Sequence, residues 1–290
     1  MASLKDLKIR IKSVKSTQKI TSAMKMVAAA KLRRAQTRLV NARPYANKMN
    51  ELLAHMVDLI GEKGHPIFQK REETKAAEFL ILSSDRGLCG GFNGNLLRRV
   101  ETFLKEKTSV CPVVRVSVMG RKGRDFMKSR KRELEKLLPA VREDLRFEES
   151  LKLAEDLVAG YTEGRFDEFY LVYNYFQSAI SQEVRIERLL PLEFPARPET
   201  GYLPEYLYEP SREALLKDLV LRALATIIHR AFLESVTGEF AARMVAMDNA
   251  TNNSKEMIYD LTLQMNRLRQ AAITKELMDI VNGSESLKKS

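Results

Sequence analysis

Tryptophan is missing from this sequence, and cysteine, histidine, proline and glycine are all scarce. Few prolines and glycines lean the chain towards helix and away from an all-β fold rich in turns. Two cysteines, Cys89 and Cys111, form no CxxC pair and have no histidine clustered beside them, so they read as buried or free thiols in a reducing compartment. His55, His65 and His229 fall in three separate segments, which argues against a histidine metal site or a catalytic triad. No apolar run approaches 18 residues, so no transmembrane helix is expected. The basic, amphipathic start "MASLKDLKIRIKSVKS" has some transit-peptide character. Its hydrophobic repeat runs on without a break, so it reads as part of the first helix and not as a targeting segment.

Acid is also nearly missing from the first fifty residues. Thirteen Lys and Arg stand there against the single acid Asp6, a local charge of +12 in a chain carrying +11 overall. The rest is therefore close to neutral. Such a stripe suits a polyanionic partner: nucleic acid, an acidic membrane surface or an acidic protein groove.

What is present falls into three segments. Residues 1–62 carry one long heptad pattern. One track is Leu4, Ile11, Gln18, Lys25, Leu32, Leu39, Ala46, Leu53 and Ile60, and the other is Leu7, Val14, Thr21, Ala28, Ala35, Ala42, Met49 and Met56. The 4-3 spacing holds phase throughout and predicts a left-handed coiled-coil seam. Gln18, Thr21 and Lys25 leave a polar gap in it. Pro44 predicts a kink, and Gly61 and Gly64 a stop.

Residues 74–195 change period. "EFLILSS", "VVRVSVMG", "EFYLVYNYFQ" and "QEVRIERLLPL" read as strands, the last two as a pair. "NLLRRVETFLKE", "RKGRDFMKS" and "EESLKLAEDLVAGYTEGRF" read as helices between them. The alternation predicts a Rossmann-like α/β domain with a largely parallel sheet. A proline-rich loop then leads to a third segment, 211–287, which is helical again, with Ser211 as N-cap. Its apolar face runs from Leu216 to Ala231, and Ile258, Leu261, Met265, Leu268 and Ala272 restore the heptad. Ser235, Gly238 and Ala242 are small enough for close helix approach.

The fold predicted is α plus α/β. A long antiparallel coiled coil forms from the N- and C-terminal helices, with the α/β domain making the return. At 1.5 Å per residue the helices would be about 85 Å and about 115 Å long. The tail from Ile273, with Leu277, Met278, Ile280 and Val281, then outruns its partner and is too apolar to stand in water without a sleeve from another protein.

No constellation for chemistry emerges, so no catalytic residue, cofactor or metal is expected. "GLCGGFNG" follows a strand but lacks the GK[ST] of a phosphate loop and the G-x-G-x-x-G spacing, and reads as a tight structural turn. Asp85 and Arg86 would stabilise it or form an exposed ion pair. Glu276 and Asp279, three apart on one helix, read as a solvated edge or partner contacts. The runner-up function, nucleic-acid binding by a basic coil, sits badly with cations spread along the coil surface rather than in a fork beyond a zipper.

Three stretches resemble the gamma subunit family of F-type ATP synthases: "STQKITSAMKMVAAAKLRRAQ" at 16–36, "SSDRGLCGGFN" at 83–93 and "RQAAITKELMDIVNGS" at 269–284. Ser284 stands where the family usually has Ala. The resemblance implies a non-catalytic rotor shaft, one copy per complex, inside a ring of three alpha and three beta subunits, resting with the epsilon subunit on the membrane c-ring. It implies that Met24 and Lys25 face an acidic lever of the beta subunits and that Arg269 and Gln270 bind a loop of one of them. It implies a bearing tip of Ile273, Leu277, Met278, Ile280 and Val281, and a foot at Tyr206, Tyr208 and Glu209 that meets epsilon and the c-ring. The expected location is the cytoplasmic face of a bacterial inner membrane, with the mitochondrial matrix face as the less favoured alternative.

Overall fold

A computed structural model describes residues 3–60, 65–193 and 211–288. Helix α1 spans Leu4–Ile60 and helix α5 spans Arg212–Lys288. Between them lie β1 (Ala76–Leu82), α2 (Phe92–Val110), β2 (Val113–Met119), α3 (Arg121–Ser129), β3 (Leu137–Leu138), α4 (Phe147–Thr162), β4 (Glu168–Phe176) and β5 (Gln182–Leu190). The expected coil and α/β plan is what is found. The short strand β3 is not legible in the sequence, because two residues carry no period.

The first helix runs unbroken through Pro44, which sits on its exposed side. A prolyl residue there removes one backbone bond, costing roughly 3 kcal/mol, which a long packed helix absorbs. The heptad reading maps onto burial. Leu7, Ile11, Thr21, Ala28, Leu32, Ala35, Leu39, Ala46, Met49, Leu53 and Met56 are buried.

The sheet has the order β3-β2-β1-β4-β5. Strands β1, β2, β3 and β4 are parallel, and β5 returns antiparallel to β4. Both faces are covered, as a parallel sheet requires. Phe79, Ile81, Val116, Val118 and Val172 pack with Leu96, Leu97, Val100 and Leu104 of α2 and Met127 of α3. Leu80, Leu82, Leu171 and Tyr173 point the other way, towards Leu157 and Tyr161 of α4, Leu53 and Met56 of α1, and Val220, Leu224, Ile228 and Phe232 of α5. The alternation of strand side chains sends one set to each face. Gly120 makes the β2–α3 corner: its φ is +92°, and a Cβ there would lie 2.3 Å from the Ser83 carbonyl oxygen.

Contacts divide the chain into two units: Met1–Val27 with Met244–Ser290, and Ala28–Arg243. In the first, Leu7 and Ile11 pack on Leu261, with Val14, Met265 and Leu268 around them. The Thr251 hydroxyl lies 2.8 Å from that of Thr21, and the Lys25 ammonium 2.6 Å from the Asp248 carboxylate. Partner numbers fall on α5 as they rise on α1, so the two termini pair antiparallel.

Candidate functional site

The polar gap in the seam is a bonded layer. Thr251 donates to the Met247 carbonyl as well as meeting Thr21, and Thr21 donates to the carbonyl of Gln18. Short hydroxyls can satisfy themselves on their own helix in this way, which makes them tolerable inside a seam. Beside that layer Lys25 is committed to Asp248 across the coil, both side chains 43% exposed, and Met24 is half-buried. No local pattern points to Asp248, which lies 223 residues away.

Arg269 and Gln270 are exposed on α5. They stand 21 residues beyond Asp248, on the order of 30 Å along the helix, so they and the Met24–Lys25 pair mark different levels of the coil. Ile273, Leu277, Met278, Ile280 and Val281 are each half or more exposed. By the pairing trend they run past the described start of α1. Glu276 and Asp279 are exposed there too. Tyr206, Tyr208 and Glu209 lie outside the described residues.

The basic stripe is partly spent on this chain's own carboxylates. Lys31 pairs with Glu143 at 3.2 Å and Arg43 with Glu234 at 3.3 Å. Arg38 donates to the carbonyl of Glu143.

The glycine-rich turn after β1 is tied down from three sides. Asn93 accepts from the Ser84 N–H at 3.0 Å and donates to the Ser84 hydroxyl at 2.7 Å and to Cys89 Sγ at 3.3 Å. Asp85 accepts from the Arg121 N–H at 2.9 Å, at the start of α3. Arg243 of α5, paired with Glu239 at 2.7 Å, donates to the carbonyls of Arg86 and Gly87. Asp85 and Arg86 thus serve the turn through a carboxylate and a carbonyl. Cys89 and Cys111 are both buried and free. Burial, then the nearby Glu239, pushes the Cys89 thiol above its usual range, which keeps it protonated and unreactive.

In an open α/β sheet a ligand binds beyond the carboxyl ends of the strands where strand order reverses, here between β1 and β4. This chain fills that crevice with its own α5. A Cβ on Gly238 would stand 3.4 Å from both Phe92 and Gln182, the Glu234 carboxylate accepts from the Phe176 N–H at 3.0 Å, and Asn174 donates to the Phe92 carbonyl. These are ordinary contact distances, and the close approach expected at Gly238 brings α5 against the start of α2 at Phe92 as well as the end of the sheet. Sequence reasoning missed Glu234. The signal was there, since it is the single acid between Asp218 and Glu239.

Among the described residues no three of His, Cys, Asp or Glu converge as metal ligands, and no helix is long and apolar enough to cross a membrane.

The family model described as ATP synthase matches residues 3–287. The ATP synthase gamma chain of Geotalea uraniireducens is 47% identical over 288 residues, 99% of this chain and 100% of the relative. That of Geobacter metallireducens is 46% identical with the same coverage. Among solved structures, a chain of the Tetrahymena thermophila mitochondrial ATP synthase central stalk and c-ring superposes with a TM-score of 0.59 at 28% identity, covering 80% of this chain and 99% of its own. A chain of the Euglena gracilis mitochondrial ATP synthase shares the fold at 19% identity, with a TM-score of 0.68 and coverage of 98% of this chain and 94% of that one. None of these relatives supports the nucleic-acid reading. The chain belongs to the ATP synthase gamma chain family and is a subunit of that complex.

Proposed function

We propose that this chain is the central rotor shaft of an F-type ATP synthase, and that it performs no chemistry itself. The observation that carries this is the antiparallel pairing of its termini, with Thr21 on Thr251 and Lys25 on Asp248. Residues 1–62 and 211–287 form the coil, and 74–195 the return domain. The coil sits in a ring of three alpha and three beta subunits, one copy per complex. The chain is peripheral, on the cytoplasmic face of a bacterial inner membrane, where it meets epsilon and the c-ring through Tyr206, Tyr208 and Glu209.

One coil in a three-fold ring presents a different face to each catalytic site. Each site therefore settles into a different conformation, and turning the coil exchanges them. The shaft selects among states the ring already has, by contacts that differ between them. Met24 and Lys25 meet the beta lever, Arg269 and Gln270 hold a beta loop higher up, and Ile273, Leu277, Met278, Ile280 and Val281 turn in an apolar sleeve. An apolar bearing suits a turning shaft because hydrophobic contact is non-directional and leaves no bond to break on rotation.

The test adds the purified chain to alpha and beta subunits lacking it and follows ATP hydrolysis. Steady multi-site hydrolysis is expected only with the chain present. Hydrolysis indifferent to it would overturn the reading.

A further inference from the structure

A shaft must turn as one body with the domain that grips it, and apolar packing alone does this poorly. It resists separation, but the attraction itself carries no preferred direction. A hydrogen bond is directional and fails when its partners rotate apart. Around residues 223–237, α5 presents Ala223, Leu224, Ile228, Ala231, Phe232, Leu233 and Val236 to the core, all buried. One carboxylate stands among them. Glu234 is fully buried, its Oε2 accepting from the Phe176 N–H of β4 at 3.0 Å and its Oε1 facing Arg43 Nη2 of α1 at 3.3 Å. One side chain thereby joins three elements: both long helices and the end of the sheet.

We propose that Glu234 is a positioning residue for torque, locking α5 to α1 through Arg43 and to the sheet through Phe176. This rests on the shaft reading above. For α5 to slip, both bonds must break together and strand a charge among apolar side chains, which is far costlier than sliding methyl groups past each other. Arg43 is the right partner because it stays part exposed at the mouth of the tie and donates through a rigid fork. The crevice where a related sheet would take a ligand is thus used to seat the chain's own helix.

The experiment uses the complete complex in inverted membrane vesicles and measures proton pumping per ATP hydrolysed. Glu234→Ala removes both bonds. Glu234→Gln keeps an oxygen for the Phe176 N–H and loses the charge, and Arg43→Met loses the cation on the part-exposed side. Hydrolysis is expected to continue in all three. Pumping per ATP is expected to fall several-fold in Glu234→Ala and less in the other two. A merely structural role would lower the yield or melting temperature of the complex and leave the ratio in assembled complexes unchanged. If Glu234→Ala does not assemble, the other two decide. Wild-type pumping per ATP in the variants that assemble overturns the proposal and leaves the shaft standing, whereas a wild-type complex that does not couple overturns the shaft itself.

Discussion

Asp167 shows how a single side chain can hold strand entry in place. Its carboxylate accepts from the N–H groups of Lys75 and Ala76 at 2.7 and 2.8 Å and faces Arg71, which also donates to the Tyr161 carbonyl. Burial works to raise its pKa, but the two backbone bonds and Arg71 outweigh it and hold the group below its ordinary 3.8. A depressed carboxylate stabilises the fold fully above the unfolded value and loses that contribution as pH falls through the folded one. Asp167→Asn is expected to cost about 1–3 kcal/mol at pH 7. Urea midpoints for the two proteins should draw together as the pH is taken below 3.8; a gap of constant size across that range would mean the charge plays no part.

At the scale of elements, Lys25 separates two jobs that the sequence runs together. The proposed role has it meet the beta lever, yet its ammonium lies on Asp248 of the opposite helix. With both side chains 43% exposed, that pair is screened by water. Lys25→Ala should therefore lower coil stability by less than about 1 kcal/mol. Thermal melts of the isolated chain read this directly. A loss of several kcal/mol would show the pair to be structural, whereas a near-neutral melt with weakened ATPase would place the cation's value in partner contact.

The same scale shows what was legible. Of the seventeen seam positions read from spacing, eleven are buried, since a helix that keeps one face dry must repeat its apolar residues at 4-3 intervals. The strand pair "EFYLVYNYFQ" and "QEVRIERLLPL" followed from period and composition, and is found antiparallel. Contacts distant in sequence left no such trace. Nothing local links Lys25 to Asp248, Arg43 to Glu234, or Arg243 to the 86–87 carbonyls. The proposed partner contacts at Met24, Arg269 and the tip rest on the likeness of motifs; composition and spacing carry only an exposed apolar tail and a polar gap.

For the whole molecule, the proposed role has the two termini acting together as one turning element inside a complex. Heptads at both ends, an acid-poor first helix and a sheet domain whose ligand crevice is taken by its own helix all prepare for this. In the proposed role one asymmetric coil turns inside a three-fold ring, so that no two catalytic sites meet the same surface at once. The most direct measurement fixes the catalytic head to a support, attaches an optical probe to the α/β domain of this chain, and supplies ATP. Sustained rotation of the probe in one direction, in step with hydrolysis, is the expected result. A probe that stays still while the head hydrolyses ATP at its full rate would contradict a turning shaft.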